Sequence, residues 1–217
     1  MKQNFFSLTS LEVGPSALKS NVYIFEYAKK VNLIDAWYAD VSWLIASIRS
    51  NYSGLDNIFL THGHFDHIDW LTKLFEAFPN VICHINEDEA KFFEDSSLSL
   101  SRHFRLFEAY GKNIRTFKSG VFIDGILTVN TPWHTAGSTS FLIEEYGTCF
   151  TGDTLFSDNH GRTDLPTGDY DAMRASIWKL FTLDPQTLIY PWHWEYWVML
   201  ADIINSESET LKDIFKS

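Results

Sequence analysis

Ile58-Phe59-Leu60-Thr61-His62-Gly63-His64-Phe65-Asp66-His67 is the stretch that decides how the chain is read. Its apolar opening, Ile58-Phe59-Leu60, has the composition of a strand, and a strand that stops at Thr61 delivers the next residues to its end. Those residues bring three imidazoles and a carboxylate within positions 62 to 67. Buried in a core without partners, these groups would be costly. Imidazole nitrogen and carboxylate oxygen instead suit a zinc-like cation. Residues at i and i+2 of an extended segment project to the same side, so His62 and His64 can grip one ion while Asp66 and His67 turn to a second. The competing reading is an inert polar turn, and the density of ligand-type side chains weighs against it.

Three later segments place a ligand-type residue after an apolar run in the same way: Thr131-Pro132-Trp133-His134-Thr135, Thr151-Gly152-Asp153-Thr154 and Tyr190-Pro191-Trp192-His193. Upstream, Leu33-Ile34-Asp35 ends another such run. On these residues the chain resembles the metallo-β-lactamase superfamily, whose hallmark is His-x-His-x-Asp-His after a strand. In that family the hallmark is followed in order by Pro-x-His-Thr, Gly-Asp and Pro-x-His. The resemblance runs from about Asn21 to His193. It implies an α+β fold, the four-layered αββα sandwich, as one domain over residues 1–217 with 205–217 as a terminal helix or tail. It also implies two divalent metal ions. His62, His64 and His134 would hold one, Asp66, His67 and His193 the other, with Asp153 bridging. Zinc is the first choice, with iron or manganese as alternatives. A water between two such ions loses its proton near neutral pH and becomes a nucleophile. Asp66 would orient it or take a proton, which makes Asp66 the catalytic candidate.

The segments Gly161-Arg162-Thr163-Asp164-Leu165-Pro166 and Gly168-Asp169 resemble the glyoxalase II (hydroxyacylglutathione hydrolase-like) branch, especially its compact members. They also resemble the persulfide dioxygenases. The expected function is therefore a metal-dependent hydrolase acting on a thioester or small acyl ester through a metal-bound hydroxide. The alternative is a mononuclear-iron persulfide dioxygenase using His62, His64 and Asp153. A third reading is a non-enzymatic metal-binding member whose open positions are closed by tryptophans. Arg162 and Asp164 read as a structural ion pair bracing a loop. The chain departs from the family where Trp133 and Trp192 replace a usual glycine, and where Trp37 follows Asp35-Ala36; Trp194 adds a further indole beside His193. Packing beneath the loops is the expected role of these indoles. Full-length glyoxalase II adds a C-terminal helical domain that contacts glutathione, whereas Ser217 lies 24 residues past His193, so glutathione recognition is not carried over. His84, His103 and His160 are read as structural.

Composition bounds the partners. Of the 217 residues, 45% are hydrophobic and 16% aromatic, enough for a sizeable core. A net charge of −11 and a pI near 5.1 argue against a surface built for phosphate backbones, so a small-molecule substrate and no nucleic acid are expected. Residues Met1 to Ser10 lack the charged and apolar regions of a secretory signal, and no apolar run is long enough to span a bilayer. Cys83 and Cys149 stand in separate apolar runs and form no disulfide framework. They are expected as reduced, buried thiols of a cytoplasmic protein with no membrane partner.

Periodicity supplies the elements. Phe5 to Val13, Val22 to Tyr27 and Val31 to Ile34 read as an antiparallel opening, broken at Gly14-Pro15. A helix is expected from Asp40 to Ser50, a second from Ile68 to Phe78, a strand from Val81 to Ile85 and a short helix from Asn86 to Phe93. Residues 95 to 112 have no clean period and read as a surface excursion. Strands come next at Ile114 to Phe117 and Ile126 to Thr131, then a hairpin from Thr139 to Thr151 turning near Tyr146-Gly147. Tyr170 to Phe181 is a helix, Leu188 to Tyr190 a strand, and Glu195 to Ile204 a closing helix.

Overall fold

The computed structural model describes residues 7–13, 20–37, 40–100 and 111–215. The expected break at Gly14-Pro15, His103 and most of the expected surface excursion lie outside the described residues. The chain divides into two compact units, Met1–Phe117 and Lys118–Ser217.

The first unit is built on a six-stranded sheet in the order β1-β2-β3-β4-β5-β6. Strands β1 (Ser7–Val13), β2 (Ser20–Tyr27) and β3 (Lys30–Ile34) run antiparallel to one another. Strands β4 (Asn57–Phe59), β5 (Ile82–Asn86) and β6 (Ile114–Phe117) then add in parallel. Parallel neighbours need a crossover, and helix Val41–Asn51 supplies the one between β3 and β4. Asp40 caps it, its Oδ1 accepting from the Ser42 amide at 2.9 Å and the Trp43 amide at 3.3 Å. Val41, Leu44 and Ile48 form its buried stripe, each contributing about 1.5–3 kcal/mol on burial. Because Ile34 pairs with Phe59 across the parallel β3/β4 ladder, Asp35 and Thr61 emerge side by side at one end of the sheet.

The helix expected from Ile68 to Phe78 is two pieces, Phe65–Ile68 and Leu71–Ala77. The break has a tertiary cause: the Trp70 amide leaves the helical ladder to donate to the Ala36 carbonyl at 3.1 Å, tying this segment to the residue after Asp35. The first piece begins inside the ligand cluster, so Asp66 and His67 sit on a helical turn rather than an extended segment. In residues 95–100 a short helix, Ser96–Ser99, replaces the expected irregular start of the excursion.

The second unit carries a sheet in the order β12-β11-β10-β9-β8-β7. Its strands are β7 (Phe122–Ile123), β8 (Ile126–Asn130), β9 (Thr139–Ile143), β10 (Thr148–Gly152), β11 (Leu188–Pro191) and β12 (Val198–Met199). The β7/β8 hairpin lies beyond the periodicity reading, although Asp124-Gly125 signals it: both residues have positive φ, 49° and 87°, as a type I′ turn requires. Helix Tyr170–Phe181 crosses between the parallel β10 and β11, capped by Asp169. Its Met173, Ile177 and Leu180 pack with Trp133, Leu142, Cys149 and Ile189 in a buried cluster. The closing helix is shorter than expected, Leu200–Ile204, because Val198–Met199 pairs with Leu188–Ile189 instead. Trp194, at φ 67°, is left-handed and cannot begin a helix. Within the segment expected as a terminal helix or tail, Glu209–Phe215 is a helix. Among the described residues no helix is long and apolar enough to cross a membrane.

Candidate metal centre

In the first unit the ligand-type residues are ordered by buried groups behind them. Asp35, fully buried, accepts from the Thr61 amide at 2.8 Å and from the Thr61 hydroxyl at 2.9 Å. Its Oδ2 also lies 2.9 Å from His67 Nδ1. A carboxylate oxygen can only accept here, so Nδ1 of His67 carries the hydrogen and Nε2 presents its lone pair outward. With its hydroxyl donating to Asp35, Thr61 can accept from His62 Nδ1, 3.2 Å away, which places the lone pair of the neutral His62 ring on Nε2. That nitrogen converges on His64 Nδ1 at 3.0 Å. Asp66, on the same turn as His67, has its Oδ1 3.9 Å from His67 Nε2 and is partly open to solvent.

The loop holding these histidines is itself gripped. Its glycine amide, at Gly63, donates to Glu89 Oε2 at 2.9 Å. A Cβ on Gly63 would stand 2.4 Å from the Phe92 Cβ, so the chain passes closer to Phe92 than any larger residue allows. Replacing Gly63 by Ala should therefore cost about 1–3 kcal/mol through overpacking, read as a lower melting temperature at about 2–4 °C per kcal/mol for a chain of this size. An unchanged melting temperature in scanning calorimetry would mean that Phe92 moves aside freely.

In the second unit, His134, Asp153 and His193 come after β8, β10 and β11. Strands β10 and β11 are parallel, with Gly152 in register with Pro191, so Asp153 and His193 leave the sheet at the same end. His134 Nδ1 lies 2.7 Å from the Arg162 carbonyl, an acceptor only, so in the neutral ring Nε2 bears the lone pair. That Nε2 faces Asp153 Oδ2 at 3.5 Å, while Asp153 Oδ1 faces His193 Nε2 at 3.8 Å. A lone pair directed at a carboxylate oxygen at this distance is repulsive unless a cation lies with them, and one oxygen towards each histidine is the arrangement a bridging ligand needs. In each unit the donors, imidazole nitrogen and carboxylate oxygen, are of the kind that fits divalent metal. The Asp153 backbone is held by Gly161, whose amide donates to the Asp153 carbonyl at 2.9 Å; a Cβ there would sit 2.5 Å from that oxygen.

The tryptophans divide. Trp133 and Trp192 are fully buried, as packing beneath the loops requires. Trp194 is 42% exposed, edge-on to Phe156 at 4.7 Å and tilted over His193 at 5.5 Å, so it stands beside that histidine rather than beneath it. Arg162 and Asp164 form the expected brace, an exposed bidentate pair at 2.9 and 2.7 Å. The arginine holds the Asp164 carboxyl down to about 2. It is the backbone of Arg162, not its side chain, that meets His134. His160 is structural: its Nδ1 lies 2.7 Å from the Gly161 carbonyl, its ring rests edge-on against Trp133, and burial lowers its pKa. His84 stacks on Phe59 with its Nε2 3.0 Å from Asn57 Oδ1. Both cysteines are free and buried. Burial pushes the Cys149 thiol up to about 12 and the Cys83 thiol in the same direction, so neither is a nucleophile.

What sequence reasoning missed is how the site is supported. Asp35 stands out in the sequence as the early strand-ending aspartate of the family resemblance, but nothing local pairs it with His67, and Glu89 is one of four acidic residues in Glu87–Glu94, with nothing local to single it out.

Residues 16–193 match the family model of the Metallo-beta-lactamase superfamily, and the chain belongs to that superfamily. It is 31% identical to a probable metallo-hydrolase of Streptococcus pyogenes serotype M6, over 80% of this chain and 78% of that one. It is 32% identical to the hydroxyacylglutathione hydrolase GloC of Haemophilus influenzae, over 86% of this chain and 92% of that one. Among solved structures, TTHA1623 in a di-iron-bound form matches with a TM-score of 0.77 at 27% identity, covering 91% of this chain and 97% of that one. The protein is thus a metal-dependent hydrolase with the α+β metallo-β-lactamase fold.

Proposed function

We propose that His62, His64, Asp66, His67, His134, Asp153 and His193 together hold two divalent metal ions, with zinc the preferred metal, and that the protein cleaves a thioester or another small acyl ester. The observation that carries this reading is the fixing of two imidazoles from behind, His67 by Asp35 and His134 by the Arg162 carbonyl, so that each presents Nε2 as a ligand. His62, His64 and His134 are assigned to one ion and Asp66, His67 and His193 to the other, with Asp153 shared. Metal ions at such a centre lower the pKa of water and polarise a carbonyl. The chain's own part is to hold the ligands rigidly and to move a proton: Asp66, the partly exposed carboxylate of the set, is placed to accept one from the attacking water. Hydrolysis needs no redox change, which favours zinc. The natural occupant is a small molecule rather than nucleic acid, in keeping with the charge of −11. The two buried thiols suit a reducing compartment, and we assign the protein to the cytoplasm.

Metal analysis of freshly purified protein, paired with a generic thioester assay under argon, tests this reading. The expected result is near two metals per chain and hydrolysis that persists without oxygen. One iron per chain, oxygen uptake with glutathione persulfide and no anaerobic hydrolysis would replace it with a dioxygenase.

A further inference from the structure

We infer that Glu89 is a positioning residue for the metal-binding histidines: through the Gly63 amide it fixes the backbone between His62 and His64 and so maintains the convergence of their ring nitrogens. The inference rests on the ligand set proposed for the two ions. Glu89 is wholly buried in the 3₁₀ segment Glu87–Phe93, whose start is fixed by Asn86 accepting from the Asp88 amide at 3.1 Å. A carboxylate is an expensive group to bury, and among its contacts is a charge-assisted bond to the Gly63 amide at 2.9 Å.

The same segment meets the loop a second time. Phe92 occupies the space a Gly63 side chain would need, and its ring lies 5.9 Å from that of His64. Gly63 is therefore held from its amide by Glu89 and from its Cα by Phe92. A glycine between two ligands is otherwise the most conformationally free residue of the loop. Rotation about Gly63 would swing His64 Nδ1 away from His62 Nε2, which now stand 3.0 Å apart. The bond from Glu89 removes that freedom before a metal arrives, so less ordering has to accompany binding.

The experiment compares Glu89→Ala, Glu89→Asp and Glu89→Gln as full chains, stripped of metal and titrated with zinc against a chromophoric chelator, with cobalt absorption as a readout of ligand geometry. Gln keeps an acceptor oxygen at the same reach, whereas Asp keeps the charge but is one methylene too short. Zinc affinity should fall about 10- to 100-fold in the Ala and Asp variants and return to within a few-fold of wild type in the Gln variant. The cobalt spectrum should change in the same order. Were Glu89 merely structural, the metal-free melting temperature would drop while zinc affinity, measured well below it, stayed at the wild-type value, and the inference would fall. If the Ala variant does not fold, the Asp and Gln pair still decides: wild-type affinity in Glu89→Asp overturns the role. A wild-type protein that binds no zinc, cobalt or iron would instead overturn the ligand assignment, and this inference with it.

Discussion

Replacing Asp153 by Ala is expected to strip the protein of most of its metal, while replacing His160 by Ala leaves the metal in place. Asp153 directs one oxygen at His134 Nε2 and the other at His193 Nε2, 3.5 and 3.8 Å away. On the proposed assignment, removing it would delete a ligand from both ions and leave two dications with less negative charge between them. Changes behind a ligand typically weaken metal binding about 10- to 100-fold, so loss of the shared ligand should exceed about 100-fold. Hydrolysis should fall with it, because the loss reaches the chemistry itself. His160 lies in the same unit and differs in kind: its ring is spent on Trp133 and on the Gly161 carbonyl, and burial favours its neutral form. Its removal opens a cavity beside Trp133 and should lower the melting temperature only. Metal-to-protein ratios after desalting decide the matter, and equal loss in both variants would show that the ligands are wrongly assigned.

The cluster of ligand-type residues stands out in the sequence because its signal is local. Strand, ligand, spacer and ligand lie within a few residues, and the later histidines and Asp153 each come after an apolar run that proved to be β8, β10 or β11. Hairpin and cap chemistry was equally local: Asp40 and Asp169 cap their helices, and Gly147 ends its turn in the left-handed conformation. What sequence could not show depends on which distant backbone comes near. The helix after His67 breaks because Ala36 offers a carbonyl, and the expected helix at Glu195 gives way because Leu188 and Ile189 offer a strand edge. Periodicity registers neither competitor. The supports of the site are of the same sort, since Asp35 is 32 residues from His67 and Glu89 26 from Gly63. The tryptophans show the limit from the other side: three similar Trp residues near ligands divide into two that are buried and one, Trp194, that is not.

Asp35→Asn is expected to cost one of the two metals proposed for the site while leaving the fold intact. The substitution is nearly isosteric, and the backbone tolerates it: Asp35 has φ 56°, a left-handed conformation that Asn adopts more readily than most residues. The Asn carbonyl oxygen can still accept from the Thr61 amide, now bonded at 2.8 Å. The change falls on His67. Its Nδ1 now faces a carboxylate oxygen at 2.9 Å and therefore carries the hydrogen. An Asn that satisfies Thr61 with its oxygen turns its NH2 towards His67, so Nδ1 must become the acceptor and the hydrogen moves to Nε2. A protonated Nε2 cannot bind metal. The ion assigned to Asp66, His67 and His193 should weaken about 10- to 100-fold, so that stoichiometry after desalting falls from near two towards one. Asp35→Ala is a contrasting control. It leaves buried donors of Thr61 and His67 without this acceptor, at about 1–3 kcal/mol each, and places a Cβ-only residue in a left-handed position, so it should lose both stability and metal. The decisive comparison is metal stoichiometry against melting temperature for the Asn variant: two metals retained at wild-type affinity would refute the fixing of His67 by Asp35, whatever happens to the rate.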